Sequence, residues 1–548
     1  MKLVLIQPPI RDFYDTDIRL QPIGLAYLKS AVKKHLPRIR VVIRDYHAGW
    51  GRRTVPWPKE LRHLKAFYGQ EDKSPFSTFH HFYHFGADFE TIADETAGEK
   101  PDLVGISSLF SPYCREVLET AAAIKRKLNV PILAGGSHAS ALPETMLAHP
   151  AIDFVIRGEG ERPLVEFLRK MSPASKPGVA RRHQFRALSG VPNLGFKKNG
   201  RIILNPCGSN YPVNRIPFPD LPDLPKNRYL YEGKPLCFIL TSRGCPYRCA
   251  FCSVHTTFGH RYRRRSNSGM LRELKLRYSQ GYRVFDFEDD NLTFDKKAAG
   301  RLFRQFEKMF PKKDVRFLAM NGICYWDLNG ELLGLMRRAG FTHLNLSLVS
   351  SDPSVCKSMR RPLNRKKYRT VVSQAFKLGF RIVSYQILGL PGDSPDSMVK
   401  TLVLNARLPV LLGASPFYVP PGSPIGDSLN EADPFTTARL TNLGIESAAF
   451  TREDIYTLFV TTRILNFLKG IPLQKDCRLE TALKSAAKYS PRSRAGVFIL
   501  KKLLREEPFS LWTPRGFRHQ PFFKTELFHK AWASLDRIVT RQGRSVLI

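Results

Sequence analysis

Three cysteines, Cys245, Cys249 and Cys252, fall within eight residues, directly after the apolar run Cys237–Thr241. The segment reads Thr241-Ser242-Arg243-Gly244-Cys245-Pro246-Tyr247-Arg248-Cys249-Ala250-Phe251-Cys252. Thiolates spaced in this way on one loop can bind three irons of a [4Fe–4S] cube, whereas a cube held wholly by protein needs four ligands. Cys237 is the nearest other thiol, and it sits inside the preceding strand pattern. The fourth iron is thereby left open to a substrate or cofactor. Zinc is the rival reading, because His255 or His260 could complete four ligands. Cys114, Cys207, Cys324, Cys356 and Cys477 are scattered, and nine cysteines in 548 residues are too few for a disulfide scaffold.

The rest of the chain says what carries this loop. Up to residue 170, strand and helix patterns alternate: strands at Lys2–Ile6, Arg40–Arg44, Leu103–Ser107, Pro131–Ala134 and Phe154–Ile156, with helical spacing over Pro22–Val32. Strands separated by helices imply a parallel, doubly wound sheet, whose ligands sit outside the carboxyl ends of the strands. The polar or glycine-rich segments Gln7-Pro8-Pro9, Asp45–Gly49, Gly135-Gly136-Ser137 and Arg157–Gly160 fall at that edge. Residues 50–85 are aromatic, His-rich and irregular. Residues 171–235, rich in Pro and Arg, read as a linker. A second series fills residues 236–428, with strands Cys237–Thr241, Val284–Glu288, Val315–Ala319, His343–Leu348, Arg381–Leu388 and Ala414–Tyr418. Six βα units predict an incomplete barrel. Residues 429–548 show no strand pattern and read as a mainly helical region. The expected fold class is α/β: a doubly wound, Rossmann-like domain over 1–170, a partial (β/α)6 barrel over 236–428, then helices.

The pattern Cys-x3-Cys-x-Phe-Cys, after a strand that opens a partial barrel, resembles the radical S-adenosylmethionine (SAM) enzymes. The neighbouring stretches TSRGCPYRCAFCS and FEDDNLTFD strengthen the likeness, which covers about residues 236–428. The resemblance implies that SAM chelates the open iron and that one electron cleaves it to a 5′-deoxyadenosyl radical. It places the backbone of Phe251 against adenine and Glu288, Asp289 and Asp290 as acceptors for the SAM ammonium, a charge-assisted contact. It also brings Asn321, Ser347, Ile387 and Gly389 to SAM. Two positions depart from the family pattern. Val349 stands where relatives often carry Glu, and Tyr385 stands where Gly usually begins the adenine-side motif.

The segments GISSLF at Gly105–Phe110, PILAGGSHAS at Pro131–Ser140 and VIRGEGE at Val155–Glu161 resemble the cobalamin-binding branch of that family. The implied cobalamin contacts are Ser107, Ser108, Gly135, Gly136, Ser137, Gly158, Glu159 and Gly160. Glycines there let a bulky nucleotide tail approach the backbone closely. A generic nucleotide-binding domain is the bland alternative. His47 lies after the second strand, not the first, and the Gln7–Leu20 loop holds no His. His47 reads as a local turn histidine, so cobalt is expected without a protein imidazole.

These readings converge on a cobalamin-dependent radical SAM methyltransferase acting on an unactivated carbon through methylcobalamin, with [4Fe–4S], SAM and cobalamin as cofactors. A cyclase or ring-rearranging enzyme, a tRNA-modifying enzyme and a non-catalytic iron–sulfur nucleic-acid binder or redox sensor are the rivals. The expected partners are a small-molecule or peptide substrate and an electron donor such as flavodoxin or ferredoxin. The formal charge of +38, with basic clusters at Arg181–Arg186, Arg261–Arg265 and Arg360–Arg369, suits nucleic acid or an anionic membrane surface. A hydrophobic content of 43% excludes overall disorder. The most apolar stretch, around 401–415, is broken by Arg407, so no spanning helix and a cytoplasmic location are expected.

Overall fold

The computed structural model of the chain describes residues 1–16, 20–171, 188–429 and 433–548. The Arg181–Arg186 cluster and the start of the expected linker lie outside the described residues. The chain divides into two compact units, one of residues 1–55, 82–284 and 420–438, the other of 56–81, 285–419 and 439–548.

In the first unit, β1 (Lys2–Gln7), β2 (Arg40–Asp45), β3 (Leu103–Ser107), β4 (Ile132–Gly135) and β5 (Phe154–Ile156) are parallel. β1 pairs with both β2 and β3. The chain therefore reverses its winding there, which opens a crevice at the carboxyl edge of the sheet. Leu3, Val4, Leu5 and Ile6 are all at most 1% exposed. Such a continuous apolar run is what a sheet covered on both faces requires. Val4, Ile6, Val104, Ile106, Ile132 and Ala134 form one core with Ile92 and Ala93 of α2 (Phe89–Gly98) and Val117, Ala121 and Ile124 of α3 (Cys114–Lys127). The alternate residues face the other side, where α1 (Ile23–His35) packs with α4 (Glu161–Met171).

Part of the expected linker is sheet. β6 (Leu194–Lys198) adds antiparallel to β5, and β7 (Arg201–Leu204) adds to β6. Two strands of four and five residues joined by Asn199-Gly200 are too short to show a period amid prolines. The irregular stretch likewise contributes Arg52–Thr54 and Tyr83–Phe85, which join Ile10–Asp12 in a small antiparallel sheet. The first strand of the second series, β8 (Lys234–Ile239), also lies in this unit. The buried Gln21 amide fixes it, accepting from Phe238 N at 2.8 Å and donating to Leu236 O at 3.4 Å.

In the second unit, β9 (Val284–Phe287) neighbours β10 (Arg316–Leu318). Parallel bridges Phe317–Phe341 and Ile323–Leu346 lead on to β11 (His343–Val349). β11, β12 (Arg381–Leu388) and β13 (Leu411–Pro416) form a parallel sheet in sequence order. Helices α6 (Lys296–Met309), α7 (Gly330–Ala339), α8 (Arg365–Lys377) and α9 (Pro395–Ala406) alternate with these strands, and α5 (Asn267–Ser279) precedes β9. Each of α6 to α9 begins on Asp295, Asn329, Asn364 or Ser394, whose side chain accepts a first-turn backbone N–H. The strand–helix series of the barrel reading is thus present.

The region after residue 438 is not purely helical. Beside α10 (Arg452–Lys469) and further helices, it holds a hairpin, Ser510–Thr513 with Gly516–His519, and short strands at Arg537–Val539 and Ser545–Leu547. Strands of three or four residues carry too few alternations to be read. Among the described residues, no helix is long and apolar enough to cross a membrane.

Candidate functional site

In the first unit the carboxyl edge of the sheet is built from close backbone approaches. Ser107 ends β3. Ser108 is fully buried; its N–H donates to Gly135 O at 2.6 Å and its carbonyl accepts from His138 N at 3.0 Å. Among the described residues, the Ser108 hydroxyl has no hydrogen-bond partner, an anomaly for a buried polar atom. Gly136 has φ +119°, and a Cβ there would lie 2.6 Å from Ser108 O. Ser137 follows, at the start of the short helix Ser137–Ala141. Gly158, at φ +68°, donates its N–H to Ser140 Oγ at 2.7 Å. Gly160 faces Leu28, whose Cδ2 would be 3.0 Å from an added Cβ. His138 is buried and bonded to Ser111 Oγ at 3.0 Å, and burial pushes its pKa down to about 4. Asp45 Oδ1 accepts from the backbone of His47 and Ala48, an Asx turn that folds His47 locally.

The cysteine loop belongs to the same unit. Ser242-Arg243 pairs antiparallel with Arg263-Arg264, and this ribbon closes the loop like a neck. Gly244, at φ +80°, makes the closure possible, since a Cβ would meet Arg261 O at 2.5 Å. Cys249 is buried, and Cys245 and Cys252 are half-buried on irregular backbone. Phe251 is half-buried between them in the chain. The helix Val254–Phe258, directly after Cys252, packs on Ser137–Ala141, with Thr257 Oγ1 donating to Ser137 Oγ at 3.2 Å. Among the described residues, no three or more His, Cys, Asp or Glu are grouped to hold a single metal ion.

The neck carries an ionic quartet. Arg243 donates to Glu159 Oε2 at 2.8 Å and to Glu161 Oε1 at 2.5 Å, and Arg263 grips both oxygens of Glu159. The side chains of Arg243, Glu159 and Glu161 are at most 7% exposed. Burial alone would raise the pKa of Glu161, but the Arg243 charge and hydrogen bond outweigh it and hold the carboxyl below its usual value. Glu159, expected beside cobalamin, thus has both carboxylate oxygens engaged by arginines.

The remaining expected residues end strands of the second unit. Glu288 and Asp290 are half-buried and Asp289 is 2% exposed. Asn321 donates to Glu288 Oε2 at 2.8 Å, so these two expected neighbours are brought together. Tyr385, the departure on β12, bonds the same turn: its hydroxyl donates to Met320 O at 3.2 Å and accepts from Asn345 Nδ2 at 3.0 Å. Glycines make room for its ring, since a Cβ on Gly413 would lie 2.6 Å from Tyr385 Cδ1 and one on Gly322 3.3 Å from Cδ2. Ser347 donates to Ile323 O at 3.2 Å, and Arg361 donates to Ser347 O at 2.9 Å. Val349, the other departure, has φ +73° beside a register shift in β11. A β-branched residue there is strained. Ile387 is half-buried, on the same face of β12 as Tyr385. Gly389, at φ +82°, leaves no room for a Cβ, which would sit 2.8 Å from Ile455 Cδ1.

The family model of the B12 binding domain matches residues 77–168, and that of the radical SAM superfamily matches residues 239–404. The chain is a cobalamin-binding radical SAM enzyme. This enzyme is 28% identical over 421 residues to an uncharacterised methyltransferase of Pyrococcus horikoshii, covering 75% of this chain and 79% of that protein. It is 26% identical to cytidylyl-2-hydroxyethylphosphonate methyltransferase of Streptomyces wedmorensis, over 72% of this chain and 75% of that one. Its fold is similar to that of the radical SAM methyltransferase TsrM from Kitasatospora setae, with a TM-score of 0.58 at 18% identity, covering 78% and 76% of the two chains.

The enzyme's cofactors are a [4Fe–4S] cluster, SAM and cobalamin. Its residues fit them: three thiols on one irregular loop for iron, and an orphaned hydroxyl beside a turn that admits no side chain for cobalamin. Sequence reasoning assigns Arg243, Glu161 and Asn345 no individual role and counts Arg263 in a basic cluster suited to an anionic partner, whereas its side chain is 13% exposed and paired with Glu159. The quartet partners lie 82 to 104 residues apart, so no local pattern could pair them.

Proposed function

We propose that the enzyme transfers a methyl group to an unactivated carbon of a small-molecule or peptide substrate. The observation that carries this reading is the contact of Ser137–Ala141 with Val254–Phe258. It sets the glycine-lined edge against the chain leaving Cys252, as a reaction using both cofactors on one substrate requires. The curated relatives named methyltransferases support it. When bound, cobalamin supplies the methyl group, and SAM with the cluster supplies the radical that opens the carbon–hydrogen bond.

In this reading Cys245, Cys249 and Cys252 hold iron. Ser107, Ser108, Gly135, Gly136, Ser137, Gly158 and Gly160 receive cobalamin, with the buried Ser108 hydroxyl as its hydrogen-bonding group. Glu288, Asp289 and Asp290 accept from the SAM ammonium, while Phe251, Asn321, Ser347, Ile387 and Gly389 complete its surroundings. Residues 1–170 serve cobalamin and 236–428 serve the cluster and SAM. A flavodoxin or ferredoxin delivers the electron.

The test is anaerobic reconstitution with SAM, hydroxocobalamin and a low-potential reductant, adding host metabolite extract and following labelled methyl by mass spectrometry. A labelled methylated product with 5′-deoxyadenosine supports the reading. Deoxyadenosine with an unlabelled, rearranged product points to a cyclase, and an absence of SAM cleavage overturns the proposal.

A further inference from the structure

The neck of the cysteine loop sets two like charges face to face. Arg243 and Arg263 are direct cross-strand partners in the Ser242–Arg243/Arg263–Arg264 ribbon. Opposed cations destabilise a strand pair. The ribbon closes because Glu159 receives both guanidinium groups, Arg243 on Oε2 and Arg263 across both oxygens, and Glu161 takes the second arm of Arg243. Two carboxylates balance two guanidiniums, and Arg243 is further covered by Tyr27 and Phe258, with ring centroids at 5.4 and 5.5 Å. Glu159 sits between Gly158 and Gly160, in the turn that ends β5. One residue of the sheet edge therefore holds the root of the loop, and Arg243 is two residues before Cys245.

We propose that Glu159, with Glu161, is a positioning residue for the cluster loop and not a cobalamin contact. The pair pins the loop's neck to the β5 turn, so the backbone that faces cobalamin and the backbone that presents the thiols form one rigid piece. The inference rests on the cofactors of this enzyme and is independent of whether methyl transfer is its reaction. Burying four charges is costly and often gives no net stability over an apolar alternative. The geometry they fix is what the arrangement provides. Loss of a group that orients metal ligands costs about 10–100-fold in metal affinity.

The experiment compares wild-type enzyme with Glu159→Gln, Arg263→Gln and the charge-neutral double variant. The double variant removes one charge of each sign and keeps the fold testable if Glu159→Gln alone is unstable. Iron retained after a chelator challenge, the electron paramagnetic resonance of the reduced cluster and the melting temperature of the cluster-free protein are measured. Cobalamin retained after gel filtration is measured in the background Cys245→Ser, Cys249→Ser, Cys252→Ser, where no cluster contributes. The expected result is iron retention reduced about tenfold and an altered cluster spectrum in all three variants. Glu159→Gln and Arg263→Gln effects should not add, and cobalamin retention in the cysteine-free background should stay within about twofold, the scale of an unperturbed site. Loss of cobalamin with iron and spectrum unchanged would make Glu159 a cobalamin contact and overturn the proposal. A lowered melting temperature with wild-type iron retention and spectrum would reduce the quartet to a structural ion cluster, and would overturn it equally. Neither outcome bears on the methyl-transfer assay, which can fail on its own.

Discussion

Glu161 and Asp393 are both buried carboxyls just beyond the carboxyl ends of parallel strands, one in each unit, and their proton affinities move in opposite directions. Glu161 is held below the usual carboxylate range because Arg243 overrides the effect of burial. Asp393 follows the Gly389–Gly392 turn, and burial pushes its pKa up to about 6 although Ser397 and Ser394 donate to it. The first unit thus holds its functional edge with compensated ions, the second with neutral hydrogen bonds such as Asn345–Tyr385–Met320. Compensated ions lock one geometry and tolerate no missing member. Neutral bonds are weaker singly, and losing one member leaves no buried charge unpaired.

The largest effect should come from the loop that the ions hold. On the proposed assignment, replacing Cys245, Cys249 or Cys252 by Ser removes an iron ligand, and each variant should lose the [4Fe–4S] centre and SAM cleavage altogether. Cys324→Ala and Cys356→Ala in the second unit should keep both. Iron analysis and deoxyadenosine assays check this, and an iron-replete Cys252 variant would break it. Next comes Gly136→Ala. It combines φ +119° with a 2.6 Å approach to Ser108 O. The expected cost is about 2–4 kcal/mol of stability together with loss of cobalamin retention. Wild-type stability and cobalamin binding in that variant would remove the turn from the site.

The two units were not equally legible in the sequence. The parallel strands of the first sheet showed as apolar runs such as Leu3–Ile6, because both of their faces are covered. The cysteine loop showed because ligand spacing is local. The resemblance carried by VIRGEGE implies Glu159 as a cobalamin contact, while the arginines that engage it are 84 and 104 residues away. Tyr385 is visible as a departure from a family pattern, but its reason lies elsewhere in the chain, in room left by Gly322 in the loop after β10 and by Gly413 on β13. Hairpins such as Leu194–Leu204 escaped notice because four or five residues barely complete two alternations.

Asp393 gives a sharper test of the contrast between compensated and uncompensated charge. Its folded pKa of about 6 lies above the ordinary 3.8. The native state therefore binds the proton more tightly than the unfolded chain does. The stabilising contribution is complete below about pH 4 and is lost as pH rises through about 6. Asp393→Asn keeps an oxygen acceptor for Ser397 and Ser394 without the charge. It should be more stable than wild type at pH 7 by on the order of 2 kcal/mol, with no advantage at pH 4. Denaturant melts across this range check the sign. An equal difference at both pH values would show that Asp393 does not titrate there.

The smallest expected effect concerns Glu288. Its carboxylate is half-buried and already accepts from Asn321 at 2.8 Å, so part of any interaction with the SAM ammonium is screened by water. A charge-assisted hydrogen bond is worth about 1.5–3 kcal/mol, and exposure places this one at the lower end. Glu288→Gln should therefore weaken SAM binding about tenfold. The iron content should not change, because no thiol ligand is altered. Asn321→Ala should have the milder effect of removing one bond that orients the carboxylate. Isothermal titration with SAM on the reconstituted enzyme separates the two, since loss of charge lowers binding enthalpy more than loss of orientation does. If both variants bind SAM as wild type does, the ammonium is held by Asp289 or Asp290. The charge contact would then come from the buried Asp289 or the half-buried Asp290, whereas the buried acids of the first unit answer to arginines.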